Sequence, residues 1–246
     1  MQTAVSVEQV NFRYSKRAEL CLENISLKIS AGERFGLFGP NGAGKTTLIS
    51  IMTGLLNPES GRVQLFGTDV TTQRDAKKLF GYVPQDLAFY DELTPVENME
   101  FFGAWSGLNR EQIKKRTDEL FTVLGLNESR NKLLKNFSGG MKRRLNIAIG
   151  VIHEPKILFL DEPTVGVDVQ TRSAIIDYLR QLNAQGATLI YTSHLLQEAQ
   201  DLCKHIALID HGKIILNDDL ETVLAQHNKE GLEELFLNLT GHAYRD

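Results

Sequence analysis

Gly39-Pro40-Asn41-Gly42-Ala43-Gly44-Lys45-Thr46 is the stretch on which the reading of this chain turns. It satisfies the spacing G-x-x-x-x-G-K-[ST] in full. It follows the short apolar run Phe35-Gly36-Leu37-Phe38, and a helix is expected after it, from Thr46 to about Leu55. That context suits the motif's chemistry. Glycines let backbone N–H groups turn inward around a polyphosphate, and a helix N-terminus adds positive potential. Lys45 can then reach the β- and γ-phosphates, and the Thr46 hydroxyl can ligate Mg²⁺. The candidate nucleotide-binding residues of this stretch are Gly39, Asn41, Gly42, Gly44, Lys45, Thr46 and Thr47.

Two further stretches bear on the same chemistry. Ile157-Leu158-Phe159-Leu160-Asp161-Glu162-Pro163 reads as a buried strand with two carboxylates at its C-terminal end, the end at which open α/β sheets bind ligands. Asp161 suits Mg²⁺ held through its water shell, and Glu162 suits a base that orients an attacking water. Ser138-Gly139-Gly140 opens a helix and offers a hydroxyl, close backbone approach and a positive helix end, a second place for an anion. With two phosphate-binding devices in one chain, either the chain binds two nucleotides or two chains share each one.

The rest of the pattern organises around these motifs. In Asn24-Ile25-Ser26-Leu27-Lys28-Ile29 apolar and polar residues alternate, as on a half-buried strand. Ile157–Leu160 and Thr188–Tyr191 are buried-strand runs separated by a helical pattern from Thr171 to Leu182, which implies βαβ units and a parallel sheet. Between about Asp86 and Ile152 the character is helical. Thr94-Pro95-Val96-Glu97 combines a capping box with proline at the first helical position, and Asn109 to Gln112 repeats the box. Leu145, Ala148, Ile149 and Ile152 make an apolar stripe on the helix that Ser138 opens. His211-Gly212 between two apolar runs reads as a hairpin, and Gly231–Leu237 as an amphipathic helix.

Composition narrows the class. A chain of 246 residues holds a sizeable core, and 42% hydrophobic with 24% charged residues argues against disorder. A net charge of −4 gives no bulk argument for nucleic acid as a partner, and the run Lys142-Arg143-Arg144 is read as a solvated helix face. Cys21 and Cys203 form no CxxC pair, which suits a reducing cytosol. The start lacks the pattern of a signal peptide, and no apolar stretch approaches the roughly 18 residues that span a bilayer. Work on a membrane would need another chain to do the spanning.

Taken together, these residues resemble the ATP-binding subunits of ABC transporters over nearly the whole chain. Phe137-Ser138-Gly139-Gly140-Met141 looks like the family's Leu-Ser-Gly-Gly-Gln signature, in the expected order before Asp161-Glu162. The resemblance implies an α/β fold: a P-loop NTPase core with a parallel sheet, an N-terminal antiparallel β subdomain and an inserted α-helical subdomain. Residues 1–246 would form one ATPase domain, with 1–85 and 154–246 as the β subdomain plus P-loop core and 86–153 as the helical subdomain. It also implies that Tyr14 stacks on adenine. Gln85 would sense Mg²⁺ and the γ-phosphate, Asp168 would lie in a loop crossing a dimer interface, and His194 would contact the γ-phosphate. ATP would lie between Lys45 and its loop on one subunit and Ser138–Gly140 on the other, in a head-to-tail homodimer. A separate transmembrane permease would hold the pair at the cytoplasmic face of the cell membrane. Its docking groove is expected beside Gln85, from Leu87 to about Phe102, with Phe89, Tyr90 and Leu93 as anchors.

Met141 and Phe137 depart from the family signature. Ser-Gly-Gly-Met followed by Lys-Arg-Arg-Leu resembles the branch that serves two-component exporters, as does the ending Leu235–Gly241, and no large C-terminal regulatory domain is expected. The alternative is a relative that hydrolyses ATP without transport, in assembly or repair. A repair protein would usually insert a long coiled coil between the phosphate loop and the signature, where this chain has a modest helical stretch. An assembly ATPase is not separated by sequence. A P-loop kinase would give no reason for the Ser-Gly-Gly signature.

Overall fold

The computed structural model describes residues 2–193 and 196–226. His194, the expected helix at 231–237 and the exporter-like ending at 235–241 lie outside the described residues. Among the described residues ten strands form two sheets. One is antiparallel, with β1 (Thr3–Phe12), β2 (Leu22–Ser30), β4 (Ser60–Leu65) and the two-residue β5 (Thr68–Asp69) in the order β2-β1-β4-β5. The other contains β3 (Arg34–Phe38), β6 (Phe80–Val83), β7 (Ile157–Asp161), β8 (Thr188–Ser193), β9 (His205–Asp210) and β10 (Lys213–Asp219), in the order β10-β9-β3-β8-β7-β6. All its pairings are parallel except β9 with β10, the expected hairpin. His211 and Gly212 turn it with φ of 44° and 72°, the left-handed pair that a tight two-residue hairpin demands.

Burial explains the two kinds of strand seen in the sequence. On β2, Leu22, Ile25, Leu27 and Ile29 are buried while Lys28 is exposed, so alternation marks a strand with one covered face. On β7 every residue is buried. Ile157 and Phe159 join the core shared with the antiparallel sheet, whereas Leu158 and Leu160 join the core on the helical side. A continuous apolar run is what a strand covered on both faces requires, and the acidic pair falls where that cover ends.

Seven α-helices lie among the described residues: α1 (Lys45–Met52), α2 (Pro95–Trp105), α3 (Arg110–Val123), α4 (Gly139–Val151), α5 (Val169–Ala184), α6 (Leu196–Leu202) and α7 (Leu220–Gln226). Helices α2 to α4 all fall in the stretch expected to be helical. Both capping boxes form: Thr94 Oγ1 accepts from the Glu97 N–H at 3.3 Å, and Asn109 Oδ1 from the Gln112 N–H at 2.9 Å, each reciprocated.

Two expectations need correction. Helix α1 ends at Met52, before Leu55. Gly54 turns left-handed at φ 68°, and the Leu55 and Leu56 N–H groups fold back onto Ser50 O at 2.8 and 3.0 Å. The run Lys142-Arg143-Arg144 is not a solvated face. Arg143 is 6% exposed, Lys142 pairs with Asp91 at 2.8 Å, and Arg144 donates to Leu124 O at 2.7 Å. Helix α4 is buried on several faces, with Asn146, Ile147 and Val151 covered as well as the expected Leu145 and Ala148.

Candidate nucleotide-binding site

The loop from Gly39 to Gly44 joins β3 to α1, and packing explains two of its glycines. A Cβ on Gly39 would stand 2.0 Å from Ile209 O, against β9. Gly44 has φ 108°, and a Cβ there would lie 2.7 Å from Leu22 Cδ2. Lys45 folds back over the loop it follows, and its Nζ donates to Gly39 O at 2.8 Å and Pro40 O at 3.1 Å. Burial lowers the lysine's pKa, and the nearby charges of Glu162 and Asp161 oppose that shift.

The carboxylates stand across from this loop. Asp161 is fully buried at the end of β7, and its Oδ1 accepts from Thr192 Oγ1 at 2.7 Å. Its Oδ2 is buried with no hydrogen-bond partner. Desolvation raises its pKa most, while the Thr192 and Thr46 side chains pull it down. Glu162 takes a left-handed φ of 48°, unusual for a residue with a Cβ. Its N–H is held by Thr192, 3.2 Å from the carbonyl and 3.1 Å from the hydroxyl oxygen. Thr192 on β8 thus steadies both acidic residues.

Lys45 and Glu162 border one cleft of about 390 Å³, whose lining does not include Gly39 or Asp161. From the phosphate loop and α1 it is lined by Asn41, Gly42, Gly44, Lys45, Thr46 and Thr47. Gln85, Glu162 and Tyr14 complete the wall, together with Cys21, which sequence reading did not single out. Tyr14 is 67% exposed, with its ring edge-on to Phe12 at 5.0 Å and its hydroxyl 2.8 Å from Thr47 Oγ1, so a broad aromatic face is left open beside the loop.

Ser138, Gly139, Gly140 and Asp168 are not in this cleft. Ser138 caps α4, accepting from the Met141 N–H at 3.3 Å. The start of α4 lies beside the 166–171 turn: a Cβ on Gly139 would be 3.8 Å from Gly166 O, and one on Gly140 3.1 Å from Thr171 Oγ1. Asp168 caps α5, accepting from the Thr171 N–H at 2.9 Å and from the Thr171 hydroxyl at 2.8 Å, and those bonds lower its pKa. The two candidate phosphate-binding devices are therefore separate surfaces of one chain.

Comparison with known proteins agrees with this architecture. Residues 22–165, more than half of the chain, match the ABC transporter family. The chain belongs to the ABC transporter family. The linearmycin resistance ATP-binding protein LnrL of Bacillus subtilis (strain 168) is 42% identical over 212 residues, covering 86% of this chain and 68% of that protein. The daunorubicin resistance ATP-binding protein DrrA3 of Streptomyces coeruleorubidus is 35% identical, covering 97% and 79%. Among solved structures, a dimeric post-hydrolysis state of the ATP-binding cassette MJ0796 bound to ADP and Pi superposes with a TM-score of 0.81 at 26% identity, covering 88% of this chain and 98% of that one. The expected fold and the expected class of activity, an ATPase of the transporter type, are thereby borne out.

Within this ABC subunit, sequence reasoning missed the groups that hold the Gln85 loop. Arg143 Nη1 donates to Pro84 O at 3.2 Å and Gln85 O at 2.9 Å. Asn146 Nδ2 donates to Pro84 O at 3.2 Å, and its Oδ1 accepts from the Ala88 N–H at 3.3 Å. Both side chains belong to α4, the helix that Ser138 caps. The available signal was an Arg and an Asn three residues apart on a helix rich in apolar residues, a spacing that puts both on one face.

Proposed function

We propose that this ABC subunit hydrolyses ATP as a head-to-tail pair of identical chains, beneath a separate transmembrane partner through which substrate is exported. The observation that carries this reading is that Lys45 and Glu162 line one open cleft, with the buried Asp161 close enough for its charge to act on Lys45, while the capped start of α4 lies outside it. The cleft supplies one side of a nucleotide site. A second copy turned head to tail would supply Ser138–Gly140 as the other, with Asp168 in the turn beside it. Residues 1–85 and 154–246 would then act as the nucleotide-binding core and 86–153 as a helical arm carrying the signature.

The roles follow from chemistry. Tyr14 offers its face to the adenine, and Gly39, Asn41, Gly42, Gly44 and Thr47 shape the wall around the phosphates. Lys45, released from its two carbonyls, meets the β- and γ-phosphates, and His194, by its match to the family pattern, would contact the γ-phosphate. Glu162 accepts the proton of the water whose oxygen bonds to the γ-phosphorus as the bond to the bridging oxygen breaks, leaving ADP and phosphate. Asp161, with an unpartnered buried Oδ2, fits a divalent cation together with Thr46 and Gln85. Mg²⁺ suits so small a protein set because it takes most of its ligands from water and phosphate, and it would neutralise developing phosphate charge.

For the partner, Leu87, Tyr90 and Phe101 are exposed near Gln85, whereas Phe89 and Leu93 are partly covered. Tyr90, Phe101 and Phe102 pack as a cluster, with Tyr90 and Phe101 5.0 Å apart. The permease would dock there on exposed aromatic rings, although Phe89 packs against the helical-side core. Among the described residues no helix is long and apolar enough to cross a membrane, so attachment to the cytoplasmic face would depend on that partner. The two relatives are named for resistance to linearmycin and to daunorubicin, which favours export over import.

Glu162→Gln tests the reading. The amide keeps the shape of the side chain but is a poor proton acceptor. ATP should still bind, turnover should fall by at least about a hundredfold, and the protein should accumulate as an ATP-bound dimer on size exclusion. Turnover near that of the parent would remove Glu162 from its role.

A further inference from the structure

A buried polar cluster lies outside the nucleotide cleft, centred on Glu198 of α6, which is 5% exposed. Its Oε2 accepts from Thr164 Oγ1 at 2.6 Å and from Tyr191 OH at 2.7 Å, and Ser193 Oγ is 3.4 Å away. Its Oε1 faces Arg172 Nε at 2.8 Å, an ion-pair contact without the alignment of a hydrogen bond. Burial first, and the Glu198 charge second, hold the Tyr191 phenol well above its ordinary pKa, so that hydroxyl stays a donor.

A buried carboxylate is costly unless paired, and an apolar cluster of the same volume is often at least as stable. What this one accomplishes is a junction. Thr164 sits two residues past Glu162, in a turn closed by the Val165 N–H to Glu162 O at 3.3 Å. Arg172 is in the first turn of α5, where its N–H donates to Asp168 O at 2.9 Å. Tyr191 and Ser193 flank Thr192, the residue that holds Asp161 and the Glu162 N–H. One side chain therefore ties the segment after Glu162, the capped start of α5 and the end of β8 to each other.

We infer that Glu198 is a positioning residue for ATP hydrolysis: by anchoring the Thr164 turn to β8 and α5 it fixes the strained backbone that presents the Glu162 carboxylate. This rests on the reading of Glu162 as the base. Displacing a catalytic group by about 1 Å can lower a rate by up to roughly a hundredfold. Loss of one partner should therefore be visible in turnover while the cleft that binds nucleotide stays intact.

The test is Glu198→Gln, which keeps size and the acceptor for Thr164 and Tyr191 but turns an amide toward Arg172. Expected is a fall in kcat of about tenfold, with ATP affinity within twofold of the parent. The same substitution in the Glu162→Gln background should have almost no further effect on the residual single-turnover rate, because a group acting through Glu162 has nothing left to position. An unchanged kcat, a matching loss of ATP affinity, or an equal further loss in the Glu162→Gln background would each overturn the proposal. Should Glu198→Gln not fold, Tyr191→Phe deletes one donor and leaves the carboxylate; the same three measurements then apply with a kcat loss of about threefold. If Glu162→Gln itself turns over normally, the reading of the base fails instead, and the two failures are told apart.

Discussion

Helices α1 and α4 both start from glycine-rich segments, yet Gly39 and Gly44 at the one and Gly139 at the other differ in what surrounds them. At α1 the chain's own fold demands them. A Cβ on Gly39 would be driven into Ile209 O at 2.0 Å, and Gly44 is left-handed against Leu22. At α4 the nearest atom to a Cβ on Gly139 is 3.8 Å away, ordinary contact distance, and Gly139 lies within helical backbone where alanine is the better residue. Nothing inside the chain explains a glycine at 139. Under the proposed head-to-tail pairing, this is the spot where a second molecule would come close.

The comparison breaks most directly with one substitution at each start. Gly39→Ala should destabilise the nucleotide-free protein by about 3 kcal/mol, a fall in Tm of roughly 6–12 °C for a chain of this size. Gly139→Ala should leave Tm within about 2 °C of the parent, or raise it slightly, while ATP hydrolysis drops about tenfold or more. Thermal unfolding and steady-state turnover on both proteins decide it. A stable Gly39→Ala, or a fully active Gly139→Ala, would end the contrast.

A smaller signal sharpens it. Lys45→Ala disables the first surface. Gly139→Asp disables the second, and is preferable to a change at Gly140, where a Cβ meets Thr171 Oγ1 at 3.1 Å. Each protein should be inactive alone. An equal mixture should recover roughly a quarter of parental turnover, since half of randomly paired symmetric dimers hold one intact composite site of two. A mixture no more active than its parents would mean that the surfaces are not shared between chains, or that both sites must be sound at once. The smallest effect is expected at Tyr14→Ala. Loss of stacking by an exposed ring should weaken ATP binding by about 1 kcal/mol, roughly fivefold, without changing affinity for inorganic triphosphate. Equal losses for both ligands would take Tyr14 off the base.

The same contrast shows how much the sequence disclosed. The phosphate loop, β7 with its acidic end, the capping boxes and the hairpin at His211-Gly212 were all legible, because each is a local arrangement whose chemistry lies within a few residues. The expectation failed where distant backbone supplies the partner. Lys142-Arg143-Arg144 looked like a solvated face because carbonyls of Pro84, Gln85 and Leu124 cannot be foreseen from charge alone. Cys21 enters the cleft only because the start of β2 packs against the loop, and Glu198 on a short helix carries no mark of the cluster it closes. The roles that put Tyr14 and Gln85 beside the phosphate loop were foreseen through family resemblance rather than through any local rule.

The grip of Arg143 and Asn146 on the Gln85 loop has a mechanical meaning. From Ser138 to Asn146 is eight residues of helix, about 12 Å of stiff rod. One tip of that rod is free at the surface, and its shaft is fastened to the carbonyls of Pro84 and Gln85. A push on the tip would be carried to the loop through those bonds, so a second chain seated on Ser138–Gly140, as proposed, would be felt at the edge of this chain's own cleft.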